Sequence, residues 1–134
     1  MPGDWSLAGR VVALKSFGKM AFLKVVDRSG DVQVWLKKDR LPGRDFEIFK
    51  LLDVGDLVAA EGPATRTKTG ELTLEAARFT ILTKAMRPLP EKWHGLTDVE
   101  QRYRQRYVDL VVTPGVREVF RKRTKVVTTI RRFL

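Results

Sequence analysis

Two short apolar runs, residues 20–26 and 31–36, carry aromatic and polar side chains at alternate positions. Phe22 and Lys24 lie in the first run, and Gln33 and Trp35 lie in the second. An aromatic ring offers a stacking surface, an ammonium group donates hydrogen bonds, and an amide both donates and accepts them. If the four side chains share one face, that face can hold a flat polar ligand. An unstacked nucleotide base is the natural candidate.

The two runs have the pattern of a β-hairpin. Side chains in a strand alternate between the two faces, and the turn Asp27–Gly30 between the runs ends in glycine. A register that pairs Val26 with Asp31 keeps the two aromatic residues opposite each other and the ammonium opposite the amide. The same register places the apolar residues of both runs on the other face, which is predicted to be the core: Ala21 opposite Leu36, Leu23 opposite Val34, and Val25 opposite Val32.

Three further strands and a short helix complete the predicted fold. The strands cover Leu7–Leu14, Leu57–Arg66 and Glu71–Leu82, and Asp45 can cap the helix before the fourth strand. A bulge near residues 77–78 is needed because the apolar residues on its two sides are out of phase. Five strands with a helix between the third and fourth predict an all-β OB-fold, a Greek-key barrel that presents strands 2 and 3 to oligonucleotides or oligosaccharides. An immunoglobulin-type sandwich, which needs about seven strands, fits worse.

Composition limits the possible classes of function. The chain has 134 residues, the size of one domain or of one domain and part of another. It has no cysteine and a single histidine, His94, which argues against a disulfide framework and against a protein-built zinc site. No apolar run approaches the ~20 residues that span a bilayer, and no signal peptide is recognisable, so a cytoplasmic protein is expected.

The positive charge is unevenly distributed. The net charge is +10. Residues 1–82 contain 13 basic and 11 acidic residues, whereas residues 83–134 contain 13 basic and 5 acidic residues. The excess indicates a polyanionic partner. Because the first segment shows it only weakly, a nucleic-acid site there must depend on its outward side chains.

Residues 84–134 are predicted to form a linker and two helices. The prolines of Arg87–Pro90 indicate an extended linker. Thr97 and Glu100 have the spacing of a capping box at the start of the first helix. Thr113, followed by proline, predicts the start of the second, whose apolar stripe continues to the last residue. A stripe without a terminal cap predicts a chain that is cut inside a second domain.

Several segments resemble the class II lysyl-tRNA synthetases. Those in the predicted barrel are Ser16–Lys19, Asp27–Gly30, Thr67–Leu72 and Leu82–Lys84, and the more specific ones are Arg87–Leu96 and Arg102–Leu110. The related aspartyl and asparaginyl enzymes share the barrel but not this linker. The resemblance covers nearly everything after residue 7. It implies that residues 1–83 are an anticodon-binding domain and that residues 84–134 are the linker and the incomplete start of the catalytic domain.

The resemblance also implies the activity of a longer protein. Members of the family are cytoplasmic homodimers that activate lysine with ATP and Mg²⁺ and esterify it to their tRNA. The last helix resembles the opening of the dimer-forming motif 1. The motifs that hold ATP and the amino acid lie beyond residue 134, so no catalytic residue is assigned and this chain alone is expected to be inactive.

The resemblance implies four anticodon-binding residues. It places the stacking ring at Phe22, a base-reading amide at Gln33 and a carboxylate at Glu71. Uracil has one donor between two acceptors, so groups that accept or donate can favour it over other bases. Lys15 stands where the family often has arginine, which keeps a charge for a phosphate or base contact but loses the planar fork. Val26 replaces a common glutamine, which puts a second amide contact in doubt.

Each of these assignments has a simpler alternative. Phe22 can pack against Trp35 as a stabilising cross-strand pair. Gln33, Glu71 and Lys15 can be ordinary solvated surface residues. The chain as a whole can be a standalone single-strand-binding module without base preference, or a dimerising interaction protein that uses its terminal helices. The basic last helix is best explained as a packed interface helix, and the single histidine as structural.

Overall fold

The computed structural model describes residues 3–90 and 96–134. The chain divides into two compact units, Met1–Pro88 and Leu89–Leu134, which we name the barrel unit and the helical unit. His94 lies in the segment 91–95, outside the described residues. No helix in the two described ranges is both long and apolar enough to cross a membrane.

The described part of the barrel unit contains one helix and a sheet of six strand segments. The segments are β1 (Asp4–Phe17), β2 (Met20–Val26), β3 (Asp31–Lys37), β4 (Leu57–Arg66), β5 (Leu72–Glu75) and β6 (Arg78–Thr83), and the helix α1 (Gly43–Phe49) lies between β3 and β4. The order in the sheet is β1-β2-β3-β5-β4-β6, and a further pairing of β1 with β4 closes the ring. Both β5 and β6 pair with β4, so together they form the fifth strand of the predicted OB-fold.

The strand β1 pairs with two neighbouring strands. Its first half pairs with β4 and its second half with β2, and Arg10 belongs to both pairings. A Cβ atom on Gly9 would lie 2.7 Å from the carbonyl oxygen of Val26, closer than side-chain carbons come in folded proteins. Glycine at this position is therefore required for the close approach of β1 to β2.

The predicted hairpin register is confirmed at every position. Val26 pairs with Asp31, and the partners continue without a shift to Met20 and Lys37. The turn is held by the Asp27 carboxylate, which accepts hydrogen bonds from the backbone N–H and the hydroxyl of Ser29. The inward residues of the hairpin are fully buried, apart from the half-buried Val32: Ala21, Leu23, Val25, Val34 and Leu36.

The predicted bulge in the fifth strand is a complete break between β5 and β6. The N–H of Ala76 donates to the carbonyl of Trp35, and the N–H of Ala77 donates to the carbonyl of Glu61. β4 is therefore a partner on both sides of the break, whereas the strand pairing with β3 ends at Glu75. This break brings Leu74 and Phe79 into the same core although their spacing is out of phase.

The helix α1 packs two phenylalanine rings into the barrel core. Phe46 and Phe49 are buried, and their ring centroids lie 5.7 Å apart. The predicted capping role of Asp45 is wrong, since the helix begins at Gly43. The Asp45 carboxylate instead accepts a hydrogen bond of 3.1 Å from the N–H of Phe79 and so ties α1 to β6.

The described part of the helical unit contains three helices where the sequence predicted two. They are α2 (Val99–Arg104), α3 (Arg106–Val112) and α4 (Val116–Phe133). Gln105 separates the first two with backbone angles of φ −114° and ψ 53°, which are not helical. A hydrophobic period of 3.6 continues across this residue, so the periodicity alone could not show the break.

The two predicted caps of these helices are each displaced. Asp98, not Thr97, caps α2, and its carboxylate accepts hydrogen bonds from the backbone N–H groups of Glu100 and Gln101. Glu100 pairs with an arginine one turn later instead of completing a capping box. At α4 the flanking residue is Gly115, not Thr113, because its φ of +80° is a conformation that glycine adopts most easily.

Candidate nucleic-acid interface

The outward face of the sheet carries two rows of side chains that cross neighbouring strands. The first, which we call the aromatic row, consists of successive cross-strand partners on β1, β2, β3 and β5: Lys15, Phe22, Trp35 and Glu75. Lys24, Gln33 and Thr73 form the adjacent polar row across β2, β3 and β5. Paired residues of neighbouring strands point to the same face, so each row is continuous.

The two rings of the aromatic row are stacked on each other. The centroids of Phe22 and Trp35 lie 5.4 Å apart and their planes differ by 18°. Both residues are partly exposed. Phe22 and Trp35 therefore do form the cross-strand packing contact that was the simpler alternative to a base-binding role for Phe22. A ring has two faces, however, and Trp35 can cover only one face of Phe22.

A cation is fixed beside the Trp35 ring. The ammonium of Lys37 lies 3.4 Å from the ring centroid, within the range of a cation–π contact. It also pairs at 2.9 Å with the carboxylate of Glu75, which Arg40 approaches at 3.5 Å. The Glu75 side chain is mostly buried, so this pair is better shielded from solvent than most ion pairs on the surface.

A hydrogen bond orients the amide in the polar row. Gln33 Nε2 donates at 2.9 Å to the hydroxyl of Thr73, which in turn donates at 3.3 Å to the carbonyl of Glu71. Because Thr73 is fully buried, its hydroxyl is a fixed partner that orients the Gln33 amide. The carbonyl oxygen Oε1 of Gln33 has no partner within the described part of the chain. The side chain therefore presents an acceptor toward the solvent-facing side of the row.

The ammonium of the polar row is held charged by two carboxylates. Lys24 pairs with Asp31 at 2.8 Å. This hydrogen bond and the charge of Asp31 raise the pKa of Lys24, burial partly opposes them, and the charge of Glu71 raises it further. The last effect places Glu71 within electrostatic reach of the polar row. Its backbone closes the turn 67–71 through hydrogen bonds with Thr67.

The four predicted site residues fall on adjoining parts of one face. Lys15 and Phe22 are partners across β1 and β2, and Gln33 lies on the next strand. Glu71 immediately precedes β5, whose Thr73 is the partner of Gln33. Both Lys15 and Glu71 are exposed.

Sequence reasoning missed three residues that support this face. Lys37 had a usable signal, because it lies two positions after Trp35 and so on the same side of the strand. Thr73 and Glu75 had none, since they meet the face only through the parallel pairing of β3 with β5. Within the described ranges, no group of three acidic, histidine or cysteine side chains is arranged to hold a metal ion.

Comparison with known proteins agrees with the fold of the barrel unit. Residues 5–82 match the family described as OB-fold nucleic acid binding domain. A protein of Anaeromyxobacter dehalogenans (strain 2CP-C) named lysine–tRNA ligase is 78% identical over 133 residues, which are 99% of this chain and 26% of the relative. Proteins with the same name from Xanthomonas campestris pv. campestris (strain 8004) and Xylella fastidiosa (strain M12) are 57% and 52% identical over 96% of this chain and 25% of their own length. The chain thus spans about a quarter of the length of the curated relatives it matches.

Proposed function

The chain belongs to the family of OB-fold nucleic acid binding domains, and we propose that its barrel unit recognises the uridine-rich anticodon of a lysine-specific tRNA. The observation that carries the proposal is the Phe22 ring, which is partly exposed and backed by Trp35, next to an oriented amide. The stack holds the ring rigid before a ligand arrives. Binding then requires little further ordering of the protein.

The aromatic row supplies affinity. A base that stacks on the free face of Phe22 extends the existing stack of Phe22 on Trp35. Such stacking contributes about 1–3 kcal/mol per base and hardly depends on which base is bound. The preference for one pyrimidine must therefore come from hydrogen bonds in the adjacent row.

The polar row supplies the preference for uracil. With its amide nitrogen directed to Thr73, Gln33 offers Oε1 to the N3–H donor of uracil. Cytosine carries an acceptor at the same ring position, which would face the acceptor of Gln33. Lys24 and Lys15 are donors for the carbonyl oxygens or for a phosphate, and Glu71 is a second acceptor. The arrangement therefore favours uridine over cytidine.

The names of the relatives support a proposal about the activity of a longer protein. Since the similar proteins are named lysine–tRNA ligases, we infer that the full-length protein attaches lysine to its tRNA with ATP and Mg²⁺. We expect it to act as a cytoplasmic homodimer. No residue of this chain is assigned to ATP, lysine or the metal ion.

The test is binding of the 134-residue chain to an anticodon stem-loop with three uridines and to one with three cytidines. We expect Phe22→Ala to weaken both complexes by about 1–3 kcal/mol. We expect Gln33→Ala to weaken the uridine complex and to reduce the discrimination between the two. Leu51→Ala is the control, because Leu51 is exposed and lies outside both rows.

Two results would contradict the proposal. Unchanged affinity of a folded Phe22→Ala variant would remove the stacking site. Equal affinity of the unaltered chain for uridine and cytidine loops, with a steep dependence on salt, would favour a binding module without base preference.

A further inference from the structure

A third aromatic residue lies beside the aromatic row and is not absorbed by the proposed site. Phe17 is the last residue of β1, pairs with Met20 of β2, and is 59% exposed. Met20 is 40% exposed, so the two side chains form an apolar patch on the surface of the barrel unit. A large ring exposed at a two-residue turn adds little to the core and is available to a ligand.

Phe17 makes a T-shaped contact with Phe22 and does not extend the parallel stack of Phe22 on Trp35. Its ring centroid lies 6.5 Å from that of Phe22, and the two planes differ by 70°. One flat base therefore cannot stack on both rings at once. A base on Phe17 must be a different base from the one on Phe22, and the short distance between the rings requires that the two nucleotides be neighbours in the strand.

The charges around Phe17 fit a nucleic acid. Lys15 and Lys19 lie two residues before and two residues after it, and both are exposed. The sequence from Trp5 to Val26 contains no acidic residue at all. An apolar patch with nearby cations and no acidic residue between Trp5 and Val26 complements a base followed by a phosphate, in the manner of single-strand-binding surfaces.

We propose that Phe17 is a second stacking residue, which binds the base adjacent to the one on Phe22 while Lys15 and Lys19 contact the phosphates of that step. This proposal depends on the proposed function, because it assigns a further position of the same RNA. It predicts that the bound strand turns sharply between the two bases, since the rings that hold them are not parallel.

The experiment combines protein variants with RNA that lacks one base. The full chain and its Phe17→Ala variant are titrated with the three-uridine stem-loop and with three versions that each carry one abasic position in the anticodon. We expect Phe17→Ala to weaken binding of the complete loop by about 5- to 150-fold. With one of the three abasic loops, Phe17→Ala and the unaltered chain should bind with the same affinity, because the base that stacks on Phe17 is missing. Phe22→Ala and the unaltered chain should bind equally to a different loop, in which the abasic position is the neighbouring one.

Matched variants separate stacking from general loss of apolar surface. Phe17→Leu keeps an apolar side chain but not an aromatic face, so it should lose most of the affinity that Phe17→Ala loses. Leu82→Ala removes a side chain of similar exposure in the barrel unit and should bind like the unaltered chain. Lys19→Gln should lower the slope of log affinity against log salt by about 1. Unfolding midpoints establish that each variant is folded.

The outcomes distinguish this proposal from the one it depends on. If Phe22→Ala weakens binding and Phe17→Ala or Phe17→Leu does not, the second stacking position is wrong and the anticodon site stands. If neither Phe17→Ala nor Phe22→Ala changes affinity, both proposals fail. If the two substitutions lose their effect with the same abasic loop, the rings share one base and the assignment to neighbouring bases is overturned.

Discussion

The barrel unit and the helical unit bury their apolar residues to very different extents. The barrel closes around a continuous core that receives residues from all six strand segments and from α1. In contrast, α4 buries only Val116 of its eighteen residues, and Ile130 is 53% exposed. The barrel therefore contains the packing that stabilises it, whereas the apolar stripe of α4 gains little from the described part of the chain. The function of the outward face of the barrel can therefore be tested with variants that leave the apolar stripe of α4 unaltered.

The same difference appears in the two buried aspartates. Asp56 and Asp109 are both fully buried. Asp56 accepts hydrogen bonds from the backbone N–H of Asp53 and of Ala85, and from the ammonium of Lys84. It thereby fixes the chain after β6 to the start of β4. Asp109 accepts hydrogen bonds from two arginines that lie within seven residues in the sequence, so these contacts are local.

The largest effect is expected from a cavity in the barrel core. Phe79 is 1% exposed, and Phe79→Ala should lower the free energy of unfolding by about 3–5 kcal/mol. Leu82→Ala, three residues later in the same strand, should change it by less than about 0.5 kcal/mol because Leu82 is exposed. Urea unfolding followed by circular dichroism measures both. A loss below 1 kcal/mol for Phe79→Ala would mean that the barrel does not depend on this core.

The second largest effect is expected at Asp56, and it should depend on pH. Burial by itself raises the pKa of Asp56, but the hydrogen bonds from Asp53, Lys84 and Ala85 outweigh it and hold the pKa below its ordinary value of 3.8. A lowered pKa in the folded state stabilises the fold above pH 3.8, and this contribution is lost as the pH falls through the folded-state pKa. Asp56→Asn should therefore cost about 1.5–3 kcal/mol at neutral pH and progressively less below pH 4.

Asp53→Asn is the matched control for that measurement. Asp53 contacts the same ammonium of Lys84, but its side chain is 74% exposed. Exposed ion pairs contribute about 0–1 kcal/mol, so this variant should lose less than Asp56→Asn. Thermal unfolding from pH 3 to pH 7 compares the two. Equal losses at all pH values would show that burial and backbone contacts add nothing at Asp56.

Local patterns were sufficient to predict the hairpin but not its neighbours. The period of two and the glycine turn fixed every partner from Val26 and Asp31 outward, because a slip of one residue would expose the core face. The contact of Gln33 with Thr73 was not predictable in this way. It depends on a parallel pairing between segments 40 residues apart, for which no local signal exists.

The missed details of the helical unit have a local cause. Thr97 and Asp98 are adjacent and both are common cap residues, so composition could not choose between them. In the barrel unit, Phe17 lies next to the turn between β1 and β2 and was not predicted as a site residue. Its alternation with Lys15 was in fact the signal that places it on the outward face. Residues at the ends of strands are therefore those for which turn patterns and strand patterns compete.

A smaller effect should distinguish the shielded and the exposed cations of the outward face. Lys37 and Lys24 make ion pairs of nearly equal length, 2.9 and 2.8 Å, but the side chain of Lys37 is 26% exposed and that of Lys24 is 52% exposed. Lys37 also contacts the ring of Trp35. Lys37→Met should cost about 1 kcal/mol and Lys24→Met about half of that. Repeating the measurement in 1 M salt should reduce the second loss more than the first, and the reverse order would contradict the assignment.

The smallest effect is expected in α4, where it tests the comparison most directly. Since Ile130 is more than half exposed, Ile130→Ala should change the free energy of unfolding by less than about 0.5 kcal/mol, as is usual for surface positions. Val116→Ala, at the buried start of the same helix, should cost more. Both are measured at two protein concentrations that differ tenfold. A loss above 1 kcal/mol for Ile130→Ala that grows with concentration would mean that a second copy covers the stripe, because only association makes stability depend on concentration. A similar loss that is independent of concentration would instead mean that the chain buries the stripe itself.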